Sequence, residues 1–153
     1  MGENHAVHQQ ITVQAPAEKV FQALTQAELL EQWFPSQVKS DPRPGGSYRF
    51  VFQYPEEGKG GTQEGKYLAV EPGQTVSYTW NAGGNETRVA FALNARGDQT
   101  EVDLQHTGFG SSPEAEQVRD MHGGVWNAYL TNLKSFLETG EDKRTAMLGQ
   151  ITR

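Results

Sequence analysis

The chain contains no cysteine. Disulfides, thiolate metal sites and thiol chemistry are therefore excluded, and the absence is compatible with a reducing compartment. No window approaches the ~18 apolar residues of a membrane span. The first ten residues, Met1 to Gln10, hold no apolar stretch of the kind a signal peptide needs. Gly2 is followed by Ala6 where a myristoylation motif wants Ser or Thr. Positive charge is scarce. Thirteen Lys and Arg stand against 19 Asp and Glu, a formal net charge of −6, which argues against a nucleic-acid or anionic-membrane surface. These absences lead us to expect a cytoplasmic protein with no nucleic-acid partner and no membrane insertion.

What is present is a patterned chain of 153 residues, 35% hydrophobic and 21% charged. That fits one domain over 1–153, with a core at 8–138. His8 to Val13 alternates and reads as a first strand. A short helix opens at Ala15-Pro16-Ala17-Glu18 and carries Val20, Phe21 and Leu24. Thr25-Gln26-Ala27-Glu28 has the capping-box pattern and starts a second, which carries Leu29, Leu30, Trp33 and Phe34 and ends at Pro35. Five alternating segments follow, separated by turn signals: Ser47 to Tyr54, Gln63 to Glu71, Thr75 to Trp80, Thr87 to Leu93 and Thr100 to His106. With the first strand they make a meander of about six strands with one apolar face. Pro55 to Gly61 is a charged hairpin loop, and within it Gly58-Lys59-Gly60-Gly61 lacks the phosphate-loop pattern.

From Pro113 to Glu138 the period changes. Val118, Met121, Val125, Trp126, Tyr129, Leu130, Leu133, Phe136 and Leu137 recur at steps of three and four, the stripe of an amphipathic helix. Ser112 suits the N-cap, Pro113 the first turn and Gly140 the stop. Such a helix is ~38 Å long at 1.5 Å per residue, long enough to cross the sheet and cover its apolar face. Gly123-Gly124 interrupts it, each costing up to ~1 kcal/mol relative to Ala. Close packing against a bulky strand residue and a cavity-widening kink are both open explanations. Thr139 to Arg153 is polar and lacks periodicity over most of its length; a mobile tail and a weak docking through Met147, Leu148 and Ile151 are both open.

A long helix laid on a curved sheet leaves room for a cavity, and the aromatic residues point to its wall. Tyr48, Phe50, Phe52, Tyr67, Tyr78, Trp80 and Phe91 share the inner sheet face by alternation. Trp126 and Tyr129 face them from the helix, with Trp33 and Phe34 at one end. Core filling explains any one of them. As a group, several Tyr and Trp whose polar atoms need partners suit a pocket of ~300–1,000 Å³ holding a mostly apolar ligand. His106, inward with Val102 and Leu104, and His122, at the edge of the helix stripe, are candidate polar contacts or acid–base groups. The bland alternative is a histidine bonded to a backbone carbonyl. No third ligand at a readable spacing joins them into a metal site. Glu64, Glu101 and Asp103 point outward, so no inward carboxylate pair is expected, and Ser111 and Ser112 read as helix caps. No cofactor is called for.

The order strand, two short helices, meander, long C-terminal helix is that of the helix-grip fold. The local motifs are Ala15-Pro16-Ala17-Glu18-Lys19-Val20-Phe21, Gln32-Trp33-Phe34, Pro44-Gly45-Gly46-Ser47-Tyr48, Gly65-Lys66-Tyr67, Val76-Ser77-Tyr78-Thr79-Trp80, His106-Thr107-Gly108-Phe109 and Gly124-Val125-Trp126. In order and spacing they resemble the family named for activators of the heat-shock-protein-90 ATPase, within the START and birch-pollen-allergen-like (SRPBCC) superfamily. The resemblance implies an α+β fold, with a curved antiparallel sheet of six to seven strands wrapped around the C-terminal helix. It also implies a cavity for lipids, sterols or polyketides. Some relatives are cyclases or hydrolases, and the namesake stimulates a chaperone ATPase with the help of a separate N-terminal domain, which this chain is expected to lack. The expectation is a monomeric, non-catalytic holder of a hydrophobic small molecule. A chaperone-directed interaction module and a cyclase or hydrolase using the two histidines stand as alternatives.

Overall fold

The computed structural model describes residues 6–35, 37–53, 60–82 and 84–143. Most of the loop expected at 55–61 and most of the tail expected at 139–153 lie outside them. Ten elements follow in order: β1 (Val7–Val13), α1 (Ala17–Thr25), α2 (Ala27–Trp33), β2 (Gln37–Ser40), β3 (Ser47–Gln53), β4 (Gly60–Glu71), β5 (Thr75–Ala82), β6 (Asn85–Arg96), β7 (Gln99–Thr107) and α3 (Pro113–Thr139). The strands form one seven-stranded antiparallel sheet, in the order β1-β7-β6-β5-β4-β3-β2. The fold is α+β: an open sheet, two short helices after the first strand, and a long C-terminal helix against the sheet.

Alternation orders the faces as the sequence predicts. Tyr48 and Phe50, Tyr78 and Trp80, Val89 and Phe91, and Val102, Leu104 and His106 are buried, while Arg49, Glu64 and Arg88 are exposed. Two strand readings change. β2 is an additional strand. Its single apolar residue, Val38, gives too little alternation to signal it, and it is held at the sheet edge by pairing with β3 and by a hydrogen bond from the Val38 N–H to Glu31 Oε2 at 2.9 Å. In β4 the pairing with β5 slips between Tyr67 and Ala69. Leu68 becomes the extra residue of a bulge and is one of the exposed large hydrophobics. The slip sets Val70 opposite the buried Val76 and Ala69 opposite Ser77. Ala69 therefore does not share the inner face with Tyr67, as unbroken alternation would have it; Val70 does.

Gly65 shows why a glycine stands mid-strand. Tyr48 pairs with it across β3 and β4, and the Tyr48 hydroxyl reaches past it to the Thr79 carbonyl on β5. A Cβ at Gly65 would stand 2.8 Å from Tyr48 Cε2 and 2.9 Å from its hydroxyl, closer than packed atoms tolerate.

The helix ends follow local chemistry, with one exception. Ser112 Oγ accepts from the Ala115 N–H at 3.1 Å, Pro113 opens the first turn of α3, and Gly140 closes it at φ 78°, a left-handed cap. The capping box at Thr25 does not form. α2 begins at Ala27 without a side-chain cap, and the Thr25 hydroxyl donates to the Phe21 carbonyl at 2.8 Å. Thr25 is still in the last turn of α1, where the i−4 carbonyl is within reach.

With 27 residues α3 is about 40 Å long. It runs alongside β1 in the same direction. Gln9 Nε2 donates to the Gly123 carbonyl at 2.7 Å, Lys134 Nζ to the Thr12 carbonyl at 2.6 Å, and the Gln14 N–H to Glu138 Oε2 at 2.8 Å. These bonds cover part of the free edge of β1, a strand position otherwise open to pairing with another chain. Among the described residues no helix is long and apolar enough to cross a membrane.

Candidate functional site

The inner sheet face and α3 meet in a continuous aromatic cluster. Trp33, Phe34, Tyr48, Phe50, Tyr67, Tyr78, Trp80, Phe91, Trp126 and Tyr129 are all buried, as is His106, while His122 is half-buried. Phe34 joins the two ends. It leaves α2 just before Pro35 and turns inward, stacking on Trp33 at 5.1 Å between centroids. Its ring meets Phe50 at 5.5 Å, Trp126 at 5.4 Å and Tyr129 at 4.7 Å. Sequence reasoning set Phe34 at one end of the wall; the fold puts it between sheet and helix. Trp126 also meets Trp80 at 5.7 Å and Phe91 at 5.8 Å. At the far side Tyr48, Tyr67 and Tyr78 gather, with Tyr78 5.1 Å from Tyr48 and 5.8 Å from Tyr67. Burial raises the pKa of all three phenols, so they stay protonated.

The histidines are tied to the tryptophans in a crossed arrangement. Trp126 on α3 donates its indole N–H to Nδ1 of His106 on β7 at 3.0 Å. Trp80 on β5 donates to Nε2 of His122 on α3 at 3.3 Å. The partners fix the tautomers. The Thr87 hydroxyl gives its one hydrogen to the Trp80 carbonyl at 2.7 Å, so its oxygen accepts from His106 Nε2–H at 2.7 Å, and His106 Nδ1 is the acceptor for Trp126. His122 carries its hydrogen on Nδ1, donating to the Val118 carbonyl at 2.8 Å, and Nε2 accepts from Trp80. Both rings are therefore neutral. Desolvation by burial, with the nearby His122 as a second cause, lowers the His106 pKa to about 3. Burial also lowers that of His122, against the Val118 bond, which acts the other way. The two imidazoles stand edge to face at 5.2 Å, and Phe109 lies 4.4 Å from His106. Both nitrogens of His106 are thus occupied by protein. Among the described residues no three His, Cys, Asp or Glu are grouped as a metal site would need.

Thr87, Phe109 and Asn132 belong to this site; the sequence offers none of them as a site residue, and Phe109 enters there only as the end of the motif His106-Thr107-Gly108-Phe109. Thr87 has the same strand parity as Val89 and Phe91, which would have marked it. Phe109 sits beyond the end of β7, where periodicity is silent. Asn132 flanks the helix stripe three residues after Tyr129. It is 1% exposed and donates from Nδ2 to the Trp33 carbonyl and to Asp142 Oδ1, each at 2.9 Å, while its Oδ1 accepts from the Lys143 N–H at 2.6 Å. One buried amide thus ties α2, α3 and the chain after α3 together.

The glycine pair in α3 is not a packing requirement. A Cβ at Gly123 would meet nothing closer than 3.9 Å, and one at Gly124 nothing within 4 Å. Instead the pair lines a surface depression of about 320 Å³ with Val7, Gln9 and Arg119. The pair also divides the helix. After it Trp126, Ala128, Tyr129, Leu130, Asn132 and Leu133 are buried; before it Ala115 is. Gly124→Ala is therefore expected to stabilise the protein by up to ~1 kcal/mol, through helix propensity alone. A lower thermal midpoint in the variant would contradict this.

Over residues 14–138 the chain matches the family model described as activator of Hsp90 ATPase homolog 1-like protein. No curated protein matches it. Among solved structures it is similar to protein MLL2253 from Mesorhizobium loti, with a TM-score of 0.75, 25% identity, and coverage of 89% of this chain and 98% of that one. It is similar to the Aha1 dimer from Colwellia psychrerythraea, with a TM-score of 0.74, 22% identity and coverage of 89% and 98%. It is also similar to DynU16, from the dynemicin biosynthetic locus, with a TM-score of 0.72, 24% identity, and coverage of 90% of this chain and 48% of that one. The matched segment begins at the end of β1 and ends at Glu138, spanning the wall, the crossed histidines and nearly all of α3, so the chain belongs to the activator of Hsp90 ATPase homolog 1-like family.

Proposed function

We propose that the protein holds a hydrophobic small molecule between the inner sheet face and α3, without catalysis. The aromatic cluster carries this reading: a continuous wall of rings drawn from α2, five strands and α3, with polar atoms that are largely satisfied by protein. Such a wall offers stacking and apolar contact, the terms that dominate small-molecule pockets. Catalysis is disfavoured by the state of the histidines. A general base must reach its proton with a free lone pair, and His106 has both nitrogens engaged. Glu64 is exposed, and Glu101 and Asp103 lie on the same outward parity of β7.

Native mass spectrometry on protein purified from its own source, followed by organic extraction, tests the proposal. A discrete co-purifying mass is expected. Protein that is consistently empty, with no thermal stabilisation by a panel of lipids and polyketides, would sink it. Attention would then turn to the outer sheet face and a chaperone ATPase, the activity in the family's description.

A further inference from the structure

Most polar atoms of the wall have protein partners, and Tyr78 is informative by contrast. Trp33 donates to the Ala23 carbonyl at 2.8 Å, and Trp80 and Trp126 donate to the two histidines. Tyr48 donates to the Thr79 carbonyl, and Tyr67 shares a bond of 2.7 Å with Ser40. Tyr78 sits between those two tyrosines, 2% exposed, and touches rings: Tyr48, Tyr67, Phe50, Trp80 and Phe91. Among the described residues no hydrogen bond reaches its hydroxyl. A buried hydroxyl without a partner costs stability, and phenylalanine would fill the same space without that cost. A partner that arrives with the ligand accounts for the tyrosine.

Charge narrows the class. Among the described residues the buried polar ones are Thr25, Ser77, Thr87, Thr100, His106 and Asn132. None is charged, because the hydrogen bonds of His106 require the neutral ring. An ionised ligand group would be buried with no counter-charge, a costly state. Burial, reinforced by Tyr48 and Tyr67, keeps the Tyr78 phenol protonated and able to donate.

We propose that the molecule held here is neutral at its buried end and carries a carbonyl, ether or hydroxyl oxygen that accepts a hydrogen bond from Tyr78. This rests on the reading of the site as a small-molecule holder. Three probes with one ring system separate the two claims: 2-acetylnaphthalene, a neutral acceptor; 2-ethylnaphthalene, its hydrocarbon analogue; and 2-naphthoate, the anion. Their affinities are measured by titration calorimetry at pH 7.5 against the full chain and Tyr78→Phe. The ketone should bind the native chain about tenfold more tightly than the hydrocarbon, the size expected of one net hydrogen bond, and the anion should bind most weakly. Tyr78→Phe should close the gap between ketone and hydrocarbon, with a thermal midpoint equal to or above that of the native chain. A gap that persists in Tyr78→Phe, or tightest binding by 2-naphthoate, overturns the inference and leaves the holder reading standing. No binding by any probe to either form counts against both.

Discussion

Taking the pH from 7.5 to 4 should remove about 3 kcal/mol of folding stability through His106 alone, at 1.36 kcal/mol per unit below the unfolded pKa. The folded pKa is depressed, from the ordinary 6.5 to about 3, so the folded state keeps the neutral ring where the unfolded chain takes up a proton. The contribution of His106 is therefore fully present above pH 6.5 and is lost as the pH falls toward 3. A second proton on the ring would sit on Nδ1, facing the Trp126 N–H, donor against donor. His122, also depressed, acts in the same direction. Urea unfolding of the native chain and of His106→Gln at pH 7.5 and 4 checks this. The variant should start less stable and lose less on acidification. Equal losses in the two proteins would show that acid acts elsewhere.

Trp126→Ala should cost at least ~3–5 kcal/mol, the range for truncating a buried large aromatic. The indole packs on Phe34, Trp80 and Phe91 and also supplies the hydrogen bond to His106 Nδ1. Trp126→Phe separates the two roles. It keeps most of the ring contact and loses the donor, leaving a buried imidazole acceptor unpaired, and should cost ~1–3 kcal/mol. Chemical denaturation of both variants at pH 7.5 gives the comparison. If Trp126→Phe were as stable as the native chain, the crossed bond would contribute nothing. Because a domain of this kind is stable by only ~5–15 kcal/mol, Trp126→Ala brings it close to unfolding at room temperature.

The sequence by itself determined the elements and their faces. Alternation and the three-and-four spacing are local consequences of side-chain direction in strands and helices. For that reason β1, β3, β5, β6, β7 and α3 stand where the pattern puts them, Ser112 and Gly140 cap α3, and Tyr48, Phe50, Tyr78, Trp80, Phe91 and Trp126 turn inward. The order of the motifs was enough to identify the family. Tertiary structure decided the rest. β2 exists because β3 offers an edge and Glu31 caps Val38, neither visible in four residues with one apolar side chain. Ala69 gave way to Val70 because the pairing with β5 slips, and a bulge is a property of two strands. Phe34 reached the middle of the cluster because the chain breaks direction before Pro35. Above all, the histidines could be assigned to the interior from parity, but their bonds could not. His106 takes partners from β6 and α3, 19 and 20 residues away, and His122 takes Trp80 from 42 residues away. Which nitrogen carries the hydrogen, and so whether the ring can serve a ligand, depends on atoms that only folding brings within 3 Å or so of each other. Polar pairing across a sheet and a helix has no period in the chain.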